Sequence, residues 1–330
     1  MFQNFPYIYL GASGVRTHFL IPPLVAFVIS ALTSTGGVSG AFLILPFQVS
    51  YLKFTGPSVS ATNFVYNLLA IPSGVYRYVR EGRMAWPLAA VITLGTLPGV
   101  FLGYYVRVHY LPDARSFKAF VGAVLLYLGV RLLYDFVGRS DRHGREMELL
   151  EQRFRQQAKG SGEGRRGRPP AGLPAEAVVK GVSVTAARIV YDFWGQRFSF
   201  SVPAMFSLSL VVGLIGGAYG IGGGAIIAPV CVSLFRLPVY TVGGAALMGT
   251  FLTSVAGVLF YSLVPITPGV SYAPDWFLGV LFGLGGIPGM YCGARLQKFV
   301  PQKALKLILG SIITFLAAGY VWQYLASPPR

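Results

Sequence analysis

Gly216-Gly217-Ala218-Tyr219-Gly220-Ile221-Gly222-Gly223-Gly224 lies in the middle of a long apolar run, residues 202–235. A straight helix over that run would reach on the order of 50 Å, against a hydrocarbon core about 30 Å thick. Glycine costs about 1 kcal/mol at each helical position, so the four glycines between 220 and 224 should interrupt the helix. A short apolar piece and then Pro229 follow. A second run, 19–52, is built the same way: Thr33-Ser34-Thr35-Gly36-Gly37-Val38-Ser39-Gly40, an apolar piece, then Pro46. Each run is expected to form two half-helices around an unwound turn, the second halves starting near Ser39 and Gly224.

The chain around these breaks has 330 residues, 54% of them hydrophobic and only 12% charged. Soluble domains carry about 25% charged residues, so a soluble globular fold and disorder are both excluded. Six further apolar stretches (58–78, 85–106, 117–137, 239–264, 276–294 and 304–325) have the length of one bilayer crossing. Tyr76, Tyr78, Trp86, Tyr104, Tyr105, Tyr134, Trp276, Trp322 and Tyr324 stand near their ends as candidate interfacial anchors. The net charge is +16, and twelve basic and seven acidic residues fall in 138–200. Basic residues placed between membrane-length runs border a membrane; nucleic acid is not expected as a partner. The remaining acids, Glu81, Asp113, Asp135 and Asp275, lie at or near the ends of runs.

These features divide the chain into an N-terminal segment 1–18, a first transmembrane repeat 19–137, a basic extramembrane linker 138–200, a second repeat 201–326 and a tail 327–330. The linker is read as a short helix, a Gly/Pro-rich stretch and a small β-hairpin over 178–200 that turns at Trp194-Gly195. The two repeats match in register. Gly37, Gly40, Pro46, Gly74 and Tyr78 fall on Gly220, Gly223, Pro229, Gly257 and Tyr261 at an offset of 183. Trp86, Pro98, Gly99 and Gly103 fall on Trp276, Pro288, Gly289 and Gly293 at 190. The fold class is therefore an all-α membrane protein of two homologous repeats, each one broken stretch plus three transmembrane helices. With the basic linker inside, re-entrant breaks and inverted repeats place eight basic residues inside and six outside; crossing breaks and parallel repeats place five inside and nine outside. The positive-inside rule favours inversion.

Unwound backbone at membrane depth must line a cavity or be buried in protein. Two such breaks at matching places in two repeats point to a transporter's binding site, and half-helix N-termini aimed at it suit an anion. The candidate substrate-binding residues are Ser34, Thr35, Gly37, Ser39, Gly40, Asn63, Asn67, Tyr219, Gly220, Gly222, Gly223, Gly224, Thr250 and Thr253. Ser60, Thr62, Tyr66 and Ser254 offer further hydrogen-bonding groups nearby, and Asn67 aligns with Thr250 as a symmetric pair of wall residues. Each of these polar groups is also the kind that joins membrane helices. Gly95, Gly99, Gly103, Gly283, Gly286 and Gly289 read as packing glycines. No carboxylate lies mid-span to carry a proton or neutralise a cation. Neither a zinc-type histidine pair nor an acid behind the glycine cluster is present to make a nucleotide site. Cys231 and Cys292 form no readable disulfide or metal set. No enzyme activity, cofactor, metal or catalytic set is expected.

The glycine-rich break with Pro229, the small-residue helix 241–257, and the duplicated Gly-x-x-Pro-Gly-x-x-x-Gly pattern (Gly95 to Gly103, Gly285 to Gly293) resemble the TauE/SafE sulfite exporter family. The resemblance covers most of 19–137 and 202–325. It implies a multi-pass carrier in the cytoplasmic membrane for small sulfur-containing anions, sulfite or organosulfonates, with membrane lipid as its surroundings. Val38 and Ser39 depart from the glycine-rich pattern in the first half. A passive anion channel with the same site, and a membrane scaffold that binds a soluble partner through 138–200, are the alternatives.

Overall fold

A computed structural model describes residues 6–137, 178–193, 195–264, 272–296 and 302–326. The helix and linker expected over 139–175, the turn residue Trp194 and the tail lie outside the described residues. The described chain opens with strands β1 (Tyr7–Leu10) and β2 (Val15–His18). Helices α1 (Ile21–Ser34), α2 (Ala41–Ser50), α3 (Ser58–Arg80), α4 (Trp86–His109) and α5 (Ala114–Val137) follow. Next come β3 (Lys180–Val184), β4 (Arg188–Phe193) and β5 (Gln196–Ser201). The chain continues through α6 (Val202–Tyr219), α7 (Gly224–Ser233), α8 (Val239–Leu263), α9 (Trp276–Leu296) and α10 (Gln302–Ala326). A helix pair split by a break and followed by three long helices thus occurs twice.

Both long runs break where the glycines require it. Gly37, Gly220, Gly222 and Gly223 have φ of +72°, +87°, +69° and +86°, a region that L side chains resist. The prolines do not end the second halves but sit inside them. Pro46 has no N–H for the Phe42 carbonyl, and the Tyr219 hydroxyl donates to that carbonyl instead, at 2.9 Å. The two half-helices also finish alike. Lys53 and Arg236, 183 residues apart, have φ of +58° and +55°. The next N–H in each case returns to a carbonyl of the half-helix: Phe54 to Gln48 at 3.0 Å and Leu237 to Cys231 at 3.2 Å.

Among the described residues, six helices are long and apolar enough to cross a membrane: α4, α5 over 114–134, α6, α8, α9, and α10 over 307–326. Helix α3, expected as another such span, is absent from that set. Ser60, Thr62, Asn63, Asn67 and Arg77 lower its hydropathy, and all five are buried. It packs against α2, α8 and α9, so protein rather than lipid solvates its polar face. Two aromatic assignments are corrected for the same reason. Tyr76, Trp86, Tyr105, Tyr134, Trp276, Trp322 and Tyr324 are exposed as anchors should be, but Tyr78 and Tyr104 are fully buried. The Tyr104 hydroxyl donates to the Val264 carbonyl, and the Arg83 guanidinium lies 4.4 Å above the Tyr78 ring.

Helix directions follow from which residues touch. Gly285, Gly289 and Gly293 of α9 press on the backbone of Pro23, Phe27 and Ala31 of α1. Gly95, Gly99 and Gly103 of α4 press on Phe206, Leu210 and Leu214 of α6. Residue numbers rise together, so both pairs are parallel. Helix α3 is parallel to α9 (Gly279 on Val65, Gly283 on Leu69, Gly74 on Met290). Helix α4 is parallel to α8 (Ile92 on Gly249, Phe101 on Phe260, Tyr104 on Tyr261). Helices α3 and α8 run antiparallel, with Phe64 on Gly257 and Tyr78 on Gly244. So do α5 and α10, with Gly122 on Tyr320 and Gly129 on Thr314. The six predicted packing glycines all lie in these seams, where a Cβ would strike a neighbour.

The expected hairpin over 178–200 is a three-stranded antiparallel sheet in the order β3-β4-β5. Ile189, Tyr191, Phe193, Phe198 and Phe200 face inward. The Tyr191 hydroxyl pairs with Thr241 Oγ1 of α8 at 3.0 Å, and burial raises its pKa. The β1–β2 hairpin is a feature the sequence reading missed. It buries Ile8, Leu10 and Val15, and Ser13 Oγ in its turn donates to the Asp275 carboxylate at 2.6 Å.

Candidate functional site

Helix α3 brings the two breaks together through two amides one turn apart. Asn63 Nδ2 donates to the Ala41 carbonyl at 2.9 Å and to the Gly220 carbonyl at 3.1 Å. One side chain therefore holds the start of α2 and the second break at once. Its Oδ1 accepts from Gln48 Nε2 at 3.3 Å. Asn67 Oδ1 accepts from the Ser39 hydroxyl. Asn67 Nδ2 donates to Ser254 Oγ at 3.2 Å and to the Ile221 carbonyl at 3.5 Å. On the far side, Thr253 Oγ1 donates to the Gly222 carbonyl at 3.0 Å, and Ser60 Oγ donates to the Ala218 carbonyl at 3.0 Å.

Close backbone approach explains the small residues. A Cβ at Gly220 would lie 2.6 Å from the Ser60 Cα. A Cβ at Gly243 would lie 2.9 Å from the Gly37 Cα. The offset of 183 carries Gly37 to Gly220 and Ser60 to Gly243, so the two contacts correspond. A Cβ at Gly40 would lie 2.7 Å from the Tyr66 hydroxyl, which is shared with Ser30 Oγ at 2.7 Å. Gly222 and Gly224 press on Thr250.

The structure gathers Gly37, Ser39, Gly40, Asn63, Asn67, Tyr219, Gly220, Gly222, Gly223, Gly224 and Thr253 at or against the breaks. Three further predicted residues turn their hydroxyls to other partners, although Thr250 itself stands against Gly222 and Gly224. Ser34 Oγ donates to the Met290 carbonyl of α9 at 3.0 Å. Thr35 Oγ1 donates back to Leu32. Thr250 Oγ1 donates to Ala246, one turn back in its own helix, at 2.8 Å. Of the symmetry-related pair, Asn67 bonds to Ser39 and Ser254, while Thr250 stands against the second break with its hydroxyl on its own helix. Gln48 was missed; its signal was a lone amide in the otherwise apolar half-helix 41–50.

The site is polar without being charged. Ser39, Gln48, Asn63, Asn67, Tyr219 and Thr253 have no exposed surface. The buried ionisable acids and bases, Arg77, Glu81, Arg83, Arg107 and Asp275, sit at or just beyond helix ends. Arg77 and Arg83 both pair with Glu81, and Arg107 lies 3.7 Å over the Phe117 ring. What the breaks offer an anion is the positive end of a helix. The Ala41 N–H is already taken by Ser39 Oγ at 3.2 Å. Helix α7 begins at Gly223 without a side-chain cap, and a helix start leaves its first N–H groups without intrahelical acceptors. Among the described residues no group of His, Cys, Asp or Glu is placed to hold a metal ion.

The sequence profile of the sulfite exporter TauE/SafE family matches residues 23–320. The chain is 19% identical over 318 residues to the probable membrane transporter protein YunE of Bacillus subtilis, covering 92% of this chain and 98% of that one. It is 23% identical over 298 residues to the probable membrane transporter protein YjnA of the same organism, covering 88% and 94%. A probable membrane transporter protein of Xylella fastidiosa is 27% identical over 123 residues, covering 37% and 44%. No solved structure matches the chain significantly.

Proposed function

The chain belongs to the sulfite exporter TauE/SafE family and is a multi-pass membrane transporter of the cell membrane; on that premise we propose that it carries small sulfur-containing monoanions by alternating access. The site lies between the breaks at 34–40 and 217–224. The observation that carries this reading is Asn63, whose one amide holds the start of one half-helix and the glycine turn before the other. The helix directions support inverted repeats. Helix α1 and helix α3 point the same way, so α2 must return between them, and the first break is re-entrant. Helices α6 and α8 repeat this in the opposite direction, since both are parallel to α4, which follows α3 through a short turn. In this reading Arg77, Arg80, Arg83, Arg236 and Arg295 share the side on which α4 and α6 begin, and Arg16, Lys53, Arg107, Arg115 and Lys118 lie opposite. Complete burial of the site favours a carrier over an open pore. In proteoliposomes, sulfite or ethanesulfonate flux should saturate and show counterflow; linear, non-exchanging flux would mean a channel, and none would refute the substrate class.

A further inference from the structure

We propose that Gln48 sets substrate specificity: its side-chain oxygen accepts a hydrogen bond from the bound anion, so the carrier prefers a monoanion that bears a hydroxyl donor. This inference deepens the carrier reading above and rests on it. Its starting point is the fixed orientation of Asn63. The Nδ2 of Asn63 faces two carbonyls, Ala41 and Gly220. A flipped amide would set oxygen against both. Asn63 Oδ1 therefore faces Gln48 and takes the Nε2 hydrogen of that residue, which fixes the second amide in turn. Gln48 Oε1 is then left fully buried with no hydrogen-bond donor.

Native proteins seldom bury an acceptor and leave it empty. Side chains on a helix tilt toward its N-terminus, so Gln48 reaches back along α2 toward the break. Through Asn63 its amide joins the cluster that ties the start of α2 to the glycine turn before α7. The uncapped start of α7 suits the anionic head; Oε1 suits a hydrogen donated from the same molecule. An anion that only accepts would bring its own oxygens against Oε1. O-protonated hydrogen sulfite and hydroxysulfonates meet the requirement, whereas the sulfite dianion and simple alkanesulfonates do not. The selection is one-sided, because the position 183 residues on is Cys231, whose Sγ lies 3.7 Å from Met205 Sδ and brings no amide.

The test uses the full chain purified in detergent and follows its thermal midpoint against ethanesulfonate and 2-hydroxyethanesulfonate, which differ by one hydroxyl. The wild type should bind the hydroxylated anion about tenfold tighter or more. In Gln48→Met the preference should collapse to about twofold or less. Equal affinities in the wild type, or a preference that survives in Gln48→Met, would overturn the assignment. Should Gln48→Met not fold, the wild-type pair decides the point alone. If neither sulfonate stabilises the wild type, the carrier reading fails first and this inference with it.

Discussion

Replacing Asn63 by Leu tests whether the two breaks are held by α3. The change removes two donated hydrogen bonds and one accepted one. The Ala41 carbonyl keeps its own helical N–H. The Gly220 carbonyl and the Gln48 amide lose a partner while remaining buried. An orphaned buried polar group costs about 1–3 kcal/mol in soluble proteins, and interhelical hydrogen bonds in membranes average about 0.6 and reach about 1.7 kcal/mol. Three bonds of the membrane kind, with two groups stranded, give a loss of about 2–4 kcal/mol. Thr250→Val is the control. The Thr250 hydroxyl bonds to a carbonyl its own helix already satisfies, so its loss should cost less than about 0.5 kcal/mol. Thermal unfolding in detergent, with flux in proteoliposomes, reads both variants. Asn63→Leu should lower the midpoint by several degrees and abolish flux, and Thr250→Val should do neither. Equal midpoints for the two variants would refute the claim that Asn63 joins the breaks.

Gly223→Leu should insert in the membrane yet lose flux, because φ is +86° there and a Cβ would lie 3.1 Å from Val212 Cγ1; normal flux would remove the second break from the site. Lys53→Gly and Arg236→Gly should each raise stability by up to about 1 kcal/mol in denaturation, since a left-handed L residue costs about 1–2 kcal/mol and glycine gives part of that back as chain entropy. Unchanged midpoints would mean that the half-helix ends carry no strain. Asp113 accepts the Ser116 N–H at 2.7 Å at the start of α5, and that hydrogen bond holds its carboxyl below the usual range. Its contribution is therefore present above about pH 4 and is lost as pH falls through the lowered folded value; Asp113→Asn should abolish that part of the acid dependence of the midpoint.

The breaks were legible because glycine and proline act locally. Four glycines in five residues interrupt a helix whatever surrounds it. The duplicated spacing was legible for the same reason. Tyr78 and Tyr104 were misread because position near the end of a run does not say which face of the helix meets lipid; that depends on helices far away in sequence. The offset of 183 pairs Asn67 with Thr250, and Thr250 does stand against the second break; what the sequence did not show is where its hydroxyl turns, because a threonine in a helix can bond to the carbonyl one turn back, as Thr250 does to Ala246. Gln48 escaped notice because a single amide in an apolar segment has many explanations until its neighbour is known. The β1–β2 hairpin has only four residues per strand, too few for alternation to stand out.

Two kinds of contact hold the helices. Helices α1, α3 and α9 share one direction and α4, α6 and α8 the other, so each group draws on both halves of the chain. Within a group, α1 lies on α9 and α6 on α4 through glycines against backbone. Such seams hold by close van der Waals packing, with the Ser34 Oγ bond to the Met290 carbonyl as a polar tie across one of them. Between the groups stand polar ties, Asn63 to Gly220, Asn67 to Ser254 and Ser60 to Ala218, and Tyr219 of α6 ties to Phe42 of α2. Separating the groups strands buried donors and acceptors unless something replaces them. An anion with its own donor replaces both kinds of partner, accepting from the amides and donating to Gln48. Under the carrier proposal the empty site therefore stays shut because the ties between the helices, Gln48 Oε1 apart, are satisfied within the protein, and the bound substrate lowers the cost of opening by taking over those hydrogen bonds. Bare exchange of helix contacts would give no such dependence on the chemistry of the cargo.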